Sequence, residues 1–375
     1  MGPGYYYAAM DQPVRRNIVV SAVNLRKGGT LTVLRDCLLY LSSREDLHVT
    51  ALVHKRELSD YPGIDYIEIP WSIKGWGRRL WCEYVTMHRL SKKLPDTDLW
   101  LSLHDTTPRV RARRQAVYCH TAFPFMKATR QDWKMDKKIV LFSLFTRFAY
   151  KINVRRNRYL IVQQDWMRSA LSGLLSFPKD QIIVSRPSFL LPPVQNTDSA
   201  LPLFLYPGTP DCHKNFETLC EAARLLEERV GKDRFQVVIT IKGDENRYAR
   251  YLKENWGAVA SLDFRGLMPR YELAGVYGEA SCLVFPSRCE TWGLPISEFL
   301  PTGKPMLLAD LPYARETAAG AGHVRFFPAT NALALAAAMQ AVVEGQTDFF
   351  NPVEPAKPAP PLAPDWESLV ALLLN

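Results

Sequence analysis

The chain has 375 residues, of which 47% are hydrophobic, and a formal net charge of +9. This length allows a sizeable core and predicts two domains, and no run reaches the roughly 18 apolar residues of a membrane-spanning helix. The seven cysteines form no Cys-x-x-Cys pair and no Cys/His cluster, which argues against a disulfide framework or a zinc site and favours a reducing cytoplasm.

Short apolar runs alternate with helical patterns in two blocks, which predicts two parallel sheets wound with helices. In the first block, a glycine loop and a helix from about Thr30 follow a buried strand at 17–23. Residues 186–202, rich in proline and polar side chains, are predicted to be a linker. The other predicted strands of this block are 47–54, 65–70, 98–104, 116–120, 159–163 and 181–185.

The second block begins with a strand at 203–208 and a helix from about Lys214, and it continues with strands at 235–241, 261–266, 281–286 and 305–310. A proline-rich connector and a short apolar helix end the chain. An isolated helix of that length is marginal in water, so we expect it to dock on one of the domains. The expected divisions are an acceptor domain at 14–190, a donor domain at 203–350, and the connector with its helix at 351–375.

Charge is distributed unevenly. Residues 1–185 contain 30 Lys/Arg and 16 Asp/Glu, whereas the rest of the chain contains 17 and 22. The basic half indicates an anionic partner (a phospholipid surface, a lipid-linked phosphate or nucleic acid), with a solvated basic face as the alternative. Cations interleaved with tryptophans in KGWGRRLW (74–81), and the cluster RRNR (155–158), suit a membrane interface. Single-stranded nucleic acid would also fit, but no nucleic-acid motif is present.

The second block carries a family resemblance. FLYPGTPDCHKNFETLCEAARLL and LDFRGLMPRYELAGVYGEASCLVFPSRCETWGLPISEFLPTGKPMLLADLP resemble the donor half of retaining glycosyltransferases of family four, nearly continuously over 203–343. DLWLSLHDTTP, VYCHTAFPF and IVQQDWM resemble the acceptor half more loosely and look like pieces of bacterial surface-polysaccharide transferases. The resemblance implies an α/β chain of the GT-B fold, in which two doubly wound Rossmann-like domains face a central cleft.

Glu290 and Glu298 stand eight positions apart around a Trp-Gly-Leu-Pro turn. Gly293 allows close approach of a ligand, and Pro295 suits the start of a helix whose N-terminus and preceding amides would face a diphosphate. By resemblance, Glu290 binds sugar hydroxyls and Glu298 binds ribose hydroxyls; two solvated helix charges are the alternative. The same donor-binding turn includes Thr291, Trp292 and Leu294.

Positive charge is needed to stabilise a leaving diphosphate, and Lys214 at a helix start is the best candidate. The family commonly has an arginine six residues earlier, where this chain has Gly208. The possible substitutes for that arginine are Lys242, Arg265 and Arg288. His213 is interpreted as a loop histidine, and the backbone of Leu267 resembles a contact to the base.

Four residues of the first block are candidates for the other wall of the cleft. Gly28 and Gly29 form a loop that either approaches phosphate or is a plain tight turn. His120 resembles the family histidine that contacts the transferred sugar, although it would equally fit as a core histidine. Asp105 is either a group that orients or deprotonates the acceptor hydroxyl or a cap of the following turn.

These features predict a cytoplasmic glycosyltransferase, peripheral at the inner face of the cell membrane. It would transfer a sugar from a GDP- or UDP-linked donor to a lipid-linked glycan, with retention and without a metal or other cofactor. A sugar-nucleotide epimerase on the same scaffold and a non-catalytic basic binding protein are the alternatives. An epimerase would need no acceptor, and a binding protein would not bind nucleotide sugars.

Overall fold

Two parallel sheets organise the chain, as the alternating pattern predicts. The computed structural model describes residues 15–187, 194–197, 199–355 and 357–375, so part of the predicted linker lies outside the described residues. The strands are β1 Arg16–Ala22, β2 Leu47–Val53, β3 Ile64–Glu68, β4 Leu99–Ser102, β5 Arg114–Tyr118, β6 Tyr159–Val162, β7 Ile182–Ser185, β8 Leu203–Tyr206, β9 Gln236–Ile239, β10 Leu262–Phe264, β11 Cys282–Phe285, β12 Met306–Ala309, β13 Val324–Phe327 and β14 Leu362–Ala363.

Helices cover both faces of each sheet, so the central strands are apolar runs buried on both sides. The helices are α1 Gly28–Ser42, α2 Trp76–Trp81, α3 Met87–Ser91, α4 Arg130–Met135, α5 Lys137–Ala149, α6 Asp165–Leu175, α7 Phe216–Val230, α8 Arg247–Trp256, α9 Arg270–Glu279, α10 Leu294–Phe299, α11 Pro312–Thr317, α12 Ala332–Val343 and α13 Trp366–Leu374. Within the described part of the chain, no helix is long and apolar enough to cross a bilayer.

The strand order places a topological switch point in the middle of each sheet. The first sheet runs β14-β7-β6-β5-β4-β1-β2-β3 and the second runs β10-β9-β8-β11-β12-β13. In the first sheet, the chain builds outward in one direction from β1 and in the opposite direction from β4, so the order reverses between these two strands. In the second sheet, the order reverses in the same way between β8 and β11. Ligands of open parallel sheets bind beyond the carboxyl ends of the strands at such points. The loops after β1, β4, β8 and β11 are therefore the expected site.

Every strand predicted from the sequence is present, and two further strands are not predicted. β13 is an edge strand with an exposed arginine, Arg325, so it lacks a continuous apolar run. β14 is two residues long and lies in the proline-rich connector, where it pairs in parallel with β7. Composition alone could identify neither strand.

The C-terminal helix packs on the first domain. Leu369, Val370 and Leu373 of α13 are buried in the same apolar cluster as Leu34 and Leu38 of α1. The last part of the chain therefore leaves the second domain, adds a strand to the first sheet and covers α1. The first domain is completed by residues from both ends of the described chain.

Candidate active site

Lys214 and Glu290 meet at the switch point of the second sheet. The Nζ atom of Lys214 lies 2.6 Å from Oε1 of Glu290, and the two side chains are only 17% and 14% exposed. Lys214 comes from the loop after β8 and Glu290 from the loop after β11, which are the central strands of this sheet. An ammonium and a carboxylate that share a half-buried site are well placed to bind the two ends of a polar, anionic ligand.

Asn215 fixes the position of Lys214. It has a left-handed backbone conformation with φ of 59°, between the short 3₁₀ turn Cys212–Lys214 and α7. Its side-chain amide donates to the carbonyl oxygens of Pro286 (2.9 Å) and Ala329 (2.6 Å). The buried hydroxyl of Tyr206 donates to the Lys214 carbonyl at 2.7 Å. These bonds tie the lysine loop to the end of β11.

The turn between Glu290 and α10 is held from α11. Gly293 has φ of 87°, which favours glycine, and a Cβ there would come within 3.4 Å of the Tyr313 ring. The hydroxyl of Thr317 donates to the Trp292 carbonyl, and the indole of Trp292 donates to Ser297 at 2.9 Å. α10 begins at Leu294, so Pro295 is its second residue and not its first. The turn is therefore packed against the domain and is not a mobile loop tip.

Glu298 lies on α10 with its carboxylate already oriented by two partners from α9. The hydroxyl of Tyr277 donates to Oε2 at 2.8 Å, and Arg270 lies 3.4 Å from Oε1. The side chain of Glu298 is 15% exposed, whereas that of Arg270 is 58% exposed. Sequence reasoning missed Tyr277, which carries no motif of its own. The pair holds Glu298 in one rotamer while leaving lone pairs for a hydroxyl donor.

The glycines of the first block lie opposite this turn. Gly28 and Gly29 are the first residues of α1, two residues before the predicted start, and Gly28 has φ of 64°. A Cβ placed on Gly29 would lie 3.8 Å from Cδ1 of Leu294. The N-terminus of α1 therefore approaches α10 across the cleft, which is the juxtaposition that a shared ligand would need.

Asp105 organises the loop that carries His120. Its Oδ1 accepts from the backbone N–H groups of His120 (2.5 Å) and Thr121 (3.1 Å) and from the hydroxyl of Tyr150 (2.8 Å). Asp105 itself has φ of 70°. A carboxylate oxygen with three donors holds this loop in place, and the role of Asp105 as a base stays a prediction.

His120 presents a ring nitrogen without a partner. The imidazole stacks on Tyr118 with centroids 4.4 Å apart, and its buried Nε2 has no hydrogen-bond partner among the described residues. Burial lowers the pKa of His120, against the opposing effect of Asp105, so the ring is neutral near pH 7. A neutral imidazole with a free Nε2 can form a hydrogen bond with a sugar hydroxyl.

Arg288 bridges the two domains. Its guanidinium forms a bidentate ion pair with Asp132 on α4, with the Nη1–Oδ2 distance at 3.0 Å, and the side chains are 9% and 0% exposed. Its backbone N–H donates to the carbonyl of His213. His213 is itself buried against Phe123 of the first domain, with ring centroids 5.1 Å apart, and burial lowers its pKa to about 4. Both residues join the domains.

The other residues considered as substitutes for the family arginine form ion pairs with carboxylates other than Glu290. Lys242 pairs with Asp244 on the surface, and Arg265 pairs with Asp263 at 2.7 Å. At Gly208 a Cβ would lie 3.2 Å from the Phe216 ring. Leu267, after β10, is 87% exposed. Lys214 is thus the cation that the structure brings to the predicted carboxylate.

Glu316 of α11 caps a helix of the opposite domain. Its two carboxylate oxygens accept from the backbone N–H groups of Asp165 (2.8 Å) and Trp166 (2.5 Å) at the start of α6. The side-chain amide of Gln164 donates to Thr317 at 2.7 Å beside it. An acceptor at a helix N-terminus satisfies N–H groups that lack an intrahelical partner.

Replacing Glu316 with alanine should therefore lower the free energy of unfolding by about 1–2 kcal/mol, the usual effect of losing an N-terminal cap. Glu316→Gln keeps one acceptor oxygen and should lose roughly half as much. Urea unfolding followed by tryptophan fluorescence measures both changes. An alanine variant as stable as the wild type would mean that these N–H groups find other partners.

A buried polar cluster beneath the Asp105 loop was not predicted. Glu83 forms an ion pair with Arg79, four residues earlier, and accepts from the hydroxyl of Thr106 at 2.5 Å. His104 lies beside it, donating to or accepting from Ser21 at 3.0 Å, and burial lowers the pKa of His104 to about 4. The i,i+4 spacing of Arg79 and Glu83 was the available signal, although nothing in it indicated burial.

The described residues contain no group of three or more His, Cys, Asp or Glu side chains arranged to hold a metal ion.

The match to a known protein family concerns the second domain. The family model "Glycosyl transferases group 1" matches residues 191–354. O-antigen chain mannosyltransferase B of Escherichia coli is 26% identical over 180 residues, which are 44% of this chain and 47% of that protein. The chain thus spans about half the length of the curated relative that it matches.

Solved structures match most of the chain at low identity. Sucrose-phosphate synthase from Thermosynechococcus elongatus superposes with a TM-score of 0.62 at 16% identity, covering 88% of this chain and 90% of its own. The apo lipopolysaccharide outer core galactosyltransferase WaaB gives 0.60 at 11%, covering 89% and 91%. Anabaena HepE, solved with UDP and glucose, gives 0.56 at 11%, covering 88% and 95%. The two sheets and these matches confirm the predicted GT-B fold.

Proposed function

We propose that this chain, whose residues 191–354 are a glycosyl transferases group 1 domain within a GT-B fold, is a retaining glycosyltransferase. It transfers a sugar from a nucleotide-diphosphate sugar to a hydroxyl of a lipid-linked glycan in bacterial surface-polysaccharide synthesis. The observation that carries the proposal is the Lys214–Glu290 ion pair at the switch point of the donor sheet. The relatives named for O-antigen and lipopolysaccharide transfer, and the neighbour solved with UDP and glucose, support the substrate class.

A sugar nucleotide matches the partners available at this pair. The diphosphate of a donor would form an ion pair with the ammonium of Lys214, and hydroxyls of the sugar would donate hydrogen bonds to the carboxylate of Glu290. The amides of the turn before α10 add positive potential to the same side. Because Lys214 and these dipoles neutralise the charge that develops on the leaving diphosphate, we expect catalysis without a metal ion or other cofactor.

The first domain supplies the opposite wall. Phe123, three residues after His120, contacts His213, which precedes Lys214. We propose that His120, in the same loop, binds the transferred sugar through its unpartnered Nε2. Asp105 positions this loop through its three hydrogen bonds.

Retention is proposed from the resemblance to retaining glycosyltransferases, and the carboxylates bear only on how it would be achieved. Glu290 is paired with Lys214, and Glu298 on α10 accepts a hydrogen bond from Tyr277 of α9, so we assign neither carboxylate the role of nucleophile. We therefore propose attack by the acceptor hydroxyl on the face that the diphosphate leaves, with a departing phosphate oxygen taking the proton. This differs from the paired carboxylates of retaining glycosidases.

The acceptor and the location are inferred from charge. The excess of Lys/Arg over Asp/Glu in residues 1–185 suits an anionic surface, and a lipid-linked acceptor would be presented there. The enzyme is accordingly proposed to be cytoplasmic and peripheral at the inner face of the cell membrane.

Glu298→Ala tests the donor site directly. A nucleoside diphosphate of one base, UDP or GDP, should raise the apparent melting temperature of the wild type, because a ligand that binds the folded state stabilises it. Loss of a hydrogen bond to a charged group should weaken that binding about 10- to 100-fold in the variant. Titration of both nucleotides and their sugar conjugates by thermal shift measures the effect.

The matched control is Glu254→Ala, an exposed carboxylate on α8, which should leave the nucleotide response unchanged. No shift with any nucleotide in the wild type would overturn the proposed function and favour a non-catalytic binding protein.

A further inference from the structure

α5 turns its apolar side outward. The buried residues of this helix are Val140, Ser143 and Thr146, so two of the three inward positions carry hydroxyl groups. Leu141, Leu144, Phe145 and Phe148 are 41%, 51%, 63% and 67% exposed. A surface helix of a soluble domain ordinarily does the reverse, with apolar side chains facing the core. Packing against the core of the first domain therefore does not explain why this face of α5 is apolar.

α2 extends the same face. Trp76, Leu80 and Trp81 are 63%, 43% and 56% exposed. The Trp76 ring lies 5.5 Å from the ring of Phe142 on α5, so the two helices present one continuous surface. We call residues 74–81, which include α2, together with residues 137–152 the apolar–basic surface. Its exposed leucines and aromatic rings form a contiguous patch of the kind that marks a docking site.

The charges of the apolar–basic surface are all of one sign. Neither 70–82 nor 137–152 contains an Asp or Glu residue. The exposed cations of these two stretches are Lys74, Arg78, Lys137, Lys138, Arg147 and Lys151. Tryptophan and phenylalanine flanked by lysine and arginine fit the boundary between acyl chains and anionic headgroups.

The surface borders the candidate active site. Phe142 contacts Phe123 with centroids 5.3 Å apart, and Phe123 contacts His213, the neighbour of Lys214. At the end of α5, the buried hydroxyl of Tyr150 donates to Asp105. The apolar–basic surface therefore lies at the first-domain edge of the cleft.

We propose that the apolar–basic surface docks on an anionic lipid bilayer, inserting its aromatic and leucine side chains at the interface while its cations bind headgroups. A second copy of the chain fits less well, because a two-fold contact would bring like charges together. Only the biological role of this docking rests on the proposed function: docking would hold the mouth of the cleft beside an acceptor that is itself anchored in lipid.

Co-sedimentation with vesicles tests the proposal. The wild type should bind phosphatidylcholine vesicles that contain phosphatidylglycerol, bind pure phosphatidylcholine vesicles at least tenfold more weakly, and dissociate as salt is raised. Phe145→Ser/Phe148→Ser and, separately, Arg147→Glu/Lys151→Glu should each reduce binding at least tenfold. Leu333→Ser, which removes a 59% exposed leucine from α12 of the second domain, should bind like the wild type.

Two readouts separate this proposal from the proposed function. The altered residues are exposed, so the variants should keep the wild-type melting temperature and the wild-type response to UDP or GDP. Variants that bind vesicles as the wild type does would overturn the docking surface and leave the enzyme proposal intact. A wild type that is dimeric by light scattering and becomes monomeric in the Phe145→Ser/Phe148→Ser variant would also overturn it. Vesicle binding without any nucleotide response would leave this surface standing and overturn the enzyme.

Discussion

Lys214→Ala should lower the rate of sugar transfer by about 100- to 1,000-fold, the usual effect of removing one group that stabilises charge developing in the transition state. Lys214 is the cation that the structure places against Glu290 at the carboxyl ends of β8 and β11. The loss should appear chiefly with ligands that contain a diphosphate. Isothermal titration should show weaker binding of the nucleoside diphosphate and nearly unchanged binding of the monophosphate.

The control for this experiment is Lys232→Ala. Lys232 is exposed and lies just before β9, at the edge of the sheet opposite the carboxyl ends of its strands. Its removal should change neither transfer nor binding. Equal loss of monophosphate and diphosphate binding in Lys214→Ala would contradict a role at the diphosphate and would point to general disruption of the pocket.

Arg288→Ala should lower the free energy of unfolding by about 3–5 kcal/mol, because it leaves the carboxylate of Asp132 buried without its ionic partner. Asp132 is fully buried, and Arg288 also donates to the carbonyl of Cys212. Burial raises the pKa of Asp132, but hydrogen bonds from Arg288 and Thr129 outweigh it and lower the pKa overall. The stabilisation by this pair is therefore present above about pH 4, the ordinary carboxyl range, and is lost as the pH falls through the lowered value.

A double-mutant cycle isolates the pair. Asp132 also accepts from Thr129 at the start of α4, and Asp132→Asn keeps an oxygen for that bond while removing the charge. Urea unfolding of Arg288→Ala, Asp132→Asn and the double variant should give losses that sum to more than the loss in the double variant, by about 0.5–3 kcal/mol. Strictly additive losses would mean that the two groups do not stabilise each other.

The strands could be predicted because buried parallel strands are written as continuous apolar runs. The apolar runs NIVVSA and SCLVF predict β1 and β11 without information about the strands beside them. In the edge strand β13, Val324 and Phe327 are buried, Arg325 is exposed and Phe326 is partly buried, so its four residues form neither a continuous apolar run nor a regular alternation. Where pairing depends on a distant partner, as in β14, local pattern carries no information.

The sequence indicates individual candidate residues, but only some of the contacts between them can be inferred from it. Lys214 and Glu290 each follow a strand, and the order of strands brings them to one point, so their pairing could be anticipated from topology. The bond between Arg288 and Asp132 spans 156 residues and two domains, and neither residue lies in a pattern that signals it. The outward face of α5 likewise depends on which side packs, which its composition does not reveal.

The return of the chain to the first domain has a practical consequence. Because β14 pairs with β7 and α13 covers α1, a polypeptide that stops near residue 190 would expose the edge of its sheet and the leucines of α1. The first domain alone is thus best produced by fragment complementation, with a peptide that includes residues 357–375 added in trans. A circular permutation that joins residues 357–375 covalently to the first domain would also keep β14 beside β7 and α13 on α1.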